Sequence, residues 1–493
     1  MEEWAYANSD INPIGKLGPA HSISVNRIQL SPSCVIFFFY RPFTVKLNSH
    51  IYLHLGALSA IISQTRGFSK KEEEAAEMLD YLPIEVVFEI LIRLPVKSLV
   101  SWRCVCKEWC SLISSNAFIA AHTDRSLSRS DDNNKNFFRY GQSACIGLRQ
   151  PKQFQHFSLR SDDGSFGHNS NFIDLNFPFK TDICLDVLAN IVGSWNGLFC
   201  FAYDDPNCGN GYSLWNPSIN RALRLPEPNF TFSSHSQYML KHSHGFGYDP
   251  STNDVKLVRL VYREEHRNKI QTLVEIYTLN AGCWRPIDTP TPSYIVNERC
   301  LSVFVNGASH WIAHTPRDEG TFRNVIVAFD MGDEVFREIA VPNCFVGKLY
   351  LSMSVAVRDG LLCLVPFNER ETEQSFSIWI MKEYGVGESW TKLFSIPISV
   401  RLKRVVAFRK NGELLITDRN GQLLSYEPNI QLATYLGFGM SWHSASGTCF
   451  TESWFYWDKY MESLILLNAN TSDSSARKLR RKGNNHEDNE KEG

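Results

Sequence analysis

In the stretch Val303-Phe304-Val305-Asn306-Gly307-Ala308-Ser309-His310-Trp311-Ile312 an Asn-Gly pair interrupts a segment rich in apolar residues. That dipeptide is the two-residue signal of a β-hairpin, because both central positions of the tight turn need φ above zero, which asparagine tolerates and glycine adopts freely. The signal returns as Asp359-Gly360 and Asn411-Gly412, with the glycines at steps of 53 and 52 residues. Asn196-Gly197 lies 110 residues before Gly307, close to two such steps. Pro290, Pro342 and Pro397, each placed to close a strand, keep the same phase at 52 and 55 residues. Two independent markers on one period argue for a repeated structural unit. Between them an aromatic or polar turn recurs as Trp215-Asn216-Pro217, Tyr248-Asp249-Pro250, Phe329-Asp330 and Tyr426-Glu427-Pro428, usually followed by a strand with a Trp or another bulky residue.

Working outward, Leu198–Phe201, Leu257–Leu260, Val274–Tyr277, Val325–Phe329, Leu361–Val365 and Leu414–Ile416 are short, β-rich and bounded by turn residues. A period near 50 residues with several strands per unit fits kelch-like propeller blades, which pack side by side because one sheet alone cannot cover both its faces. The expected fold class is mainly β: a propeller-like repeat domain over residues 137–467, of roughly six or seven blades, preceded by a small three-helix module. A pair of split β-sandwiches is the competing architecture. Trp195, Trp215 and Trp311 are expected to pack between strands and not to meet a ligand, given the area an aromatic ring buries.

Residues 80–125 follow a helical period. Leu82-Pro83 puts a proline where a first helical turn tolerates it, and Ile84, Val87, Leu91 and Leu94 then recur on one face until Pro95 stops the helix. Ser98 is placed to cap a second helix carrying Leu99, Trp102, Cys106, Trp109 and Ile113, and Asn116 to cap a short third. Three short helices bury little by themselves, so leftover apolar surface points to a partner. Residues 126–136 read as a linker, 468–493 as a polar tail, and 1–77 as an uncertain extension, with Met78 as the expected start of the functional chain.

Composition narrows the function classes. The chain of 493 residues is 43% hydrophobic, 21% charged and 13% aromatic, as expected of a packed globular protein. A net charge of −2 supplies no basic field for nucleic acid or an anionic membrane. The apolar runs Cys34–Tyr40 and Ile51–Ile62 are too short to span a bilayer, and Glu2 and Glu3 stand where a secretory signal would be basic. Thirteen scattered cysteines suit a reducing compartment, and Cys104, Cys106 and Cys110 lack a second pair at zinc-site spacing. His235, His242 and His244 read as a solvated loop, since no carboxylate or cysteine accompanies them at ligand spacing. No phosphate-binding loop, nucleophile elbow, dinucleotide fingerprint or zinc-hydrolase motif occurs, so no catalytic residue, metal or cofactor is expected.

Leu82-Pro83, the run Ile90 to Leu99 containing Leu94-Pro95, and Arg103-Cys104-Val105-Cys106-Lys107-Glu108-Trp109 resemble an F-box. Gly193-Ser194-Trp195-Asn196-Gly197-Leu198, Leu214-Trp215-Asn216-Pro217-Ser218, Gly245-Phe246-Gly247-Tyr248-Asp249-Pro250, Val274–Tyr277 and Trp284 resemble the F-box-associated region of plant F-box proteins. The resemblance implies the substrate-recognition subunit of an SCF-type ubiquitin ligase, itself non-catalytic, working in the cytosol or nucleus. Its partners would be a Skp-type adaptor, a cullin reached through that adaptor, and an unidentified target protein bound by the β domain. On the same resemblance Leu82, Pro83, Ile90, Leu91, Leu94, Pro95 and Leu99 match the family's adaptor-docking surface, while Val87, Val105 and Trp109 are either contacts or the module's own core. A lectin-like propeller binding carbohydrate or glycoprotein is the alternative function. Arg477-Lys478-Leu479-Arg480-Arg481-Lys482 is similar to a nuclear import signal. The polar insertions Asp204–Gly211 and Arg263–Lys269 are the expected target-selecting loops.

Overall fold

The computed structural model describes residues 27–29, 81–128, 135–144, 152–163, 166, 172–178, 190–205, 209–230, 241–264, 270–287, 290, 294–296, 301–315, 322–347, 351–368, 375–439 and 452–469. The readings of Met78, His235, the two apolar runs and the basic run at 477–482 fall outside these residues. Contacts divide the chain into two compact units, Met1–Leu94 with Ser101–Leu112 and Pro95–Val100 with Ile113–Gly493.

In the first unit Tyr81–Pro83 is extended and pairs antiparallel with Arg27–Gln29. Helix α1 (Ile84–Leu91) follows, burying Val87, Ile90 and Leu91. Pro83 sits before its first turn at φ −55°, ψ 140°, so it is the N-cap residue and not a member of the helix. Helix α2 (Val96–Trp102) starts straight after Pro95, whose carbonyl accepts the amides of Ser98 and Leu99 at 3.0 and 3.1 Å. Ser98 is therefore inside the helix, a correction to its reading as a cap. The second expected helix is in fact two. Turns closed by Cys104 N to Ser101 O and Val105 N to Trp102 O break it, and α3 (Lys107–Ile113) begins after Cys106. The break folds Trp109 back on Trp102, with ring centroids 5.5 Å apart. Helix α4 (Asn116–Ser128) is longer than expected, and its cap is Ser115, whose Oγ accepts the Phe118 amide at 3.2 Å.

Beyond α4 the described strands form six antiparallel sheets in chain order, a propeller of six blades. The result excludes two sandwiches, because each sheet has only four or five strands and the next begins where it ends. Blade 2 comprises Asn190–Trp195, Leu198–Asp205, Gly209–Asn216 and Arg221–Arg224; blade 3, Lys241–Asp249, Asp254–Glu264, Ile270–Thr278 and Cys283–Pro286. In blade 4 both Ile295–Val296 and Val303–Val305 pair with Ala308–His314, followed by Asn324–Asp330 and Phe336–Ala340. Blade 5 comprises Leu351–Arg358, Leu361–Asn368, Ser375–Met381 and Trp390–Pro397; blade 6, Leu402–Phe408, Leu414–Asp418, Leu423–Glu427 and Leu432–Tyr435. Blade 1 is composite. Its first strand is Glu452–Lys459, from the far end of the chain, paired with Lys135–Ala144, then Lys152–Ser161 and Phe172–Asp174. Lys135 and Asn136 thus belong to a strand and not to the expected linker.

Each of the six gaps between neighbouring blades holds one apolar cluster. Phe137, Phe199 and Trp215 fill the gap between blades 1 and 2, and Leu214, Phe246 and Leu257 that between 2 and 3. Val258, Trp311 and Phe329 join blades 3 and 4, and Ile312, Ile326 and Leu362 join 4 and 5. Val365, Leu414 and Tyr426 join 5 and 6, and Leu415, Phe138 and Trp457 close the ring from 6 to 1. Successive side chains of a strand point to opposite faces. Phe137 and Phe138, Leu257 and Val258, or Leu414 and Leu415 therefore serve two different gaps. Both faces of a blade are covered, so second strands such as those with Leu198–Phe201, Leu361–Val365 and Leu414–Ile416 read as unbroken apolar runs and not as alternation.

The sequence period now has a structural meaning. Asn196-Gly197, Asn306-Gly307 and Asp359-Gly360 connect the first and second strands of blades 2, 4 and 5, with φ between +48° and +77° at all six residues. Asn411-Gly412 holds the same place in blade 6, with Gly412 at φ +88°. The double step before Gly307 arises because blade 3 uses Pro250–Asn253 for that turn. This also corrects one marker. Trp215-Asn216-Pro217, Phe329-Asp330 and Tyr426-Glu427-Pro428 begin turns between third and fourth strands, whereas Tyr248-Asp249-Pro250 begins a turn between first and second strands.

Candidate docking surfaces of the helical module and the propeller

In the helical module, Ile90, Leu91, Leu94 and Leu99 are buried within the chain, Leu91 and Leu99 fully at 0% exposure. Pro95 is exposed and Pro83 half-buried, while for Leu82 the backbone alone is described, opposite Ile28. Val87 and Trp109 are buried and Val105 half-buried. The leucines singled out from the sequence whose side chains are described are thus buried, and the two prolines are the accessible members of the set. Glu85, Glu89, Lys97, Lys107 and Glu108 are exposed around them.

The propeller has two unlike faces. Turns between first and second strands and between third and fourth strands lie on one face; the second-to-third loops and blade-to-blade connections lie on the other. Asp204–Gly211 and Arg263–Lys269 both span connections from second to third strands on that second face, but Asp204, Asp205, Gly209–Gly211, Arg263 and Glu264 are paired strand residues and not the expected loop, and residues 206–208 and 265–269 are outside the described set.

The turn face carries a feature that sequence reasoning missed. After its last strand the chain runs across blade 2 as a clasp, Tyr460 to Ala469, with Ser463, Leu464, Leu466 and Leu467 buried. The Asn216 side-chain amide donates to Ser463 O, Ser463 Oγ and Ile465 O at 3.0, 3.1 and 2.8 Å. Arg221 Nη1 donates to the carbonyls of Leu466, Leu467 and Ala469. Ser218 Oγ bonds the Tyr460 hydroxyl at 2.8 Å and accepts the Ser463 amide at 3.2 Å. The signal was present in Trp215-Asn216-Pro217-Ser218, but its polar members looked like turn residues only. Beside the clasp, the first strands of blades 1 and 2 meet through Tyr456, Asp458 and Ser194. Tyr456 donates to Ser194 Oγ at 3.1 Å or to Asp458 Oδ2 at 3.2 Å, and Ser194 bonds Asp458 directly. Burial pushes the Asp458 carboxyl above its ordinary range.

His242 and His244 are strand residues and not the expected solvated loop. Both lie in the first strand of blade 3, and the Tyr212 hydroxyl bonds His244 Nε2 at 2.7 Å. Burial holds His244 well below its ordinary pKa, and His242 and Arg259 push the same way. Trp311 is fully buried and donates Nε1 to His244 O at 2.8 Å; Trp215 is buried at 1% exposure. Trp195 is half-buried, stacked on Tyr248 at 3.8 Å. Among the described residues no set of three His, Cys, Asp or Glu could hold a metal, and no helix is long and apolar enough to cross a membrane.

Residues 79–120 match the F-box domain family, and residues 156–466 match the family described as the F-box associated beta propeller domain. The chain belongs to the F-box proteins with an F-box-associated β-propeller. This F-box protein is similar to three from the plant Arabidopsis thaliana. F-box/kelch-repeat protein At3g23880 is 30% identical over 326 residues, covering 64% of this chain and 79% of that one. F-box protein CPR1 is 27% identical over 365 residues, covering 70% and 81%. F-box protein At3g07870 is 26% identical over 423 residues, covering 76% and 93%. The family's motifs take defined places in the propeller: Gly193–Leu198 makes the first hairpin of blade 2, Leu214–Ser218 holds the clasp, and Gly245–Pro250 ends the first strand of blade 3.

Proposed function

We propose that this F-box protein is the substrate-recognition subunit of an SCF-type ubiquitin ligase. Its helical module docks on a Skp-type adaptor, and through it a cullin, while the propeller presents a target protein. The observation that supports this reading is the presence in one chain of an F-box and a closed propeller of the F-box-associated kind. The two parts have separable tasks, one common to all assemblies and one specific to the target. The subunit needs no cofactor and carries out no chemistry; ubiquitin transfer belongs to other subunits, in the cytosol or nucleus. The adaptor-docking surface is assigned to the set Leu82, Pro83, Ile90, Leu91, Leu94, Pro95 and Leu99, whose members divide the work. The prolines and the surface around them touch the adaptor, and the buried leucines hold that surface in shape. Target contact is assigned to the second-to-third-strand loops, where variation leaves the blades intact.

Affinity capture with the tagged full chain tests the reading. Recovery of a Skp-type adaptor together with a cullin is the expected result. Recovery of glycans or glycoproteins without the adaptor would overturn it.

A further inference from the structure

On the turn face of the propeller a cleft of about 480 Å³ opens between α4, the turns of blades 2 and 3, and the clasp. Its volume falls within the roughly 300–1,000 Å³ of small-ligand sites. Its walls come from three places remote in sequence, with Ala120 on α4, Trp195, Tyr248 and Asp254 on the blades, and Leu466 on the clasp.

The lining chemistry is selective. Among the described residues no Lys, Arg, His or Glu lines the cleft, and Asp254 is the one carboxyl group. A phosphate or carboxylate would lose its water there without meeting a cation, which is strongly unfavourable. Asp254 is only 6% exposed and is pinned, accepting the amides of Val255 at 2.8 Å and Asn280 at 3.1 and 3.2 Å. A carboxylate has about four acceptor positions, so capacity for a further donor remains. Trp195 and Tyr248 stack within 8° of parallel, and the Tyr248 hydroxyl is fixed by donation to Asn253 Oδ1 at 2.6 Å. They form a rigid aromatic wall, of the kind that receives planar or cationic groups.

We propose that this cleft binds a small molecule consisting of a planar ring with one cationic donor group, the donor directed to Asp254 and the ring to the Trp195–Tyr248 wall. Such a ligand touches α4, two blades and the clasp at once, so it binds the folded form alone and raises the unfolding temperature of the whole chain.

Benzamidine is a suitable probe and benzoate its charge-reversed control, both titrated into the full chain by ligand-observed NMR. The expected result is saturable benzamidine binding, with a dissociation constant on the order of 1 mM for so small a ring, and benzoate binding at least about tenfold weaker. Ala120→Trp, which fills the cleft from the helix side, should abolish benzamidine binding while the unfolding temperature of the free chain stays near wild type. Asp254→Asn should weaken binding at least about tenfold. Absence of saturable benzamidine binding, equal binding of benzoate, or wild-type binding by a folded Ala120→Trp chain would each overturn the proposal. The benzamidine–benzoate comparison in the unaltered chain decides the matter even if a variant fails to fold.

Discussion

Gly197 and Gly307 occupy the same position in their blades and nearly the same backbone geometry, at φ +76° and +77°. Their surroundings differ. A β-carbon at Gly307 would meet nothing within 4 Å, whereas one at Gly197 would lie 1.9 Å from the carbonyl oxygen of Met461 in the clasp. Gly307→Ala should therefore cost about 1 kcal/mol, the conformational penalty alone, and Gly197→Ala at least about 2 kcal/mol more, because the clasp must move. Urea denaturation of the two variants measures the difference, and equal losses would refute it. His310 supplies a pH test. It is buried, with Nδ1 facing the Val303 carbonyl and Nε2 bonding the Tyr384 hydroxyl at 2.8 Å, and burial lowers its pKa from 6.5 to about 4. A depressed pKa means that the folded state resists protonation. The stability concerned is complete above pH 6.5 and is lost as the pH falls through 6.5 toward 4, up to about 3 kcal/mol for the site. Replacing His310 with Gln should flatten that part of the acid-denaturation profile; an unchanged slope would show that other groups set it.

At the level of elements, the clasp and the helical module make opposite predictions. Asn216→Ala removes the three hydrogen bonds to the clasp and the one accepted from the Ser218 amide, and leaves buried carbonyls without donors, an expected loss of about 2–3 kcal/mol visible as a lower melting temperature. In the module, Leu91→Asp and Leu94→Asp each place a charge where almost no water reaches, which should unfold the module outright. Loss of adaptor binding in those variants would say nothing of contact. Pro95→Glu is the sharper test, since Pro95 is exposed: binding should fall at least about tenfold with the melting temperature unchanged. Retained binding would remove Pro95 from the interface. The sequence reveals some of these elements better than others. The central strands and Asn-Gly turns were legible, because two-sided burial and positive φ each impose a residue type on a fixed position. The break between α2 and α3 was not, since Cys104 and Val105 fit a helix by period, and it is the turn at Ser101–Val105 that brings Trp109 to Trp102. The clasp was illegible for another reason. Its partners Asn216 and Arg221 lie some 250 residues away in sequence, and a backbone carbonyl that accepts a bond leaves no mark on its residue type.

For the whole molecule, the order of strands in blade 1 outweighs any single contact. The ring closes through Glu452–Lys459 beside Lys135–Ala144, and through the apolar gap where Phe138 meets Leu415 and Trp457. A chain ending before Glu452 keeps five complete blades yet exposes an unpaired strand edge and an aromatic surface, so it should aggregate and lose target capture. Size-exclusion chromatography of that truncation beside the full chain checks this, and a monodisperse truncated form would contradict it. Grafting other sequences between Asp205 and Gly209 and between Glu264 and Ile270, outside the paired strand residues, should instead change target choice with little change in stability. The same closure bears on synthesis. On the ribosome the strand Lys135–Ala144 emerges some 300 residues before its partner Glu452–Lys459 and must wait, one edge open, until that partner has been translated. Messages broken upstream of Glu452 then yield only chains that quality-control proteases can recognise by their open edge.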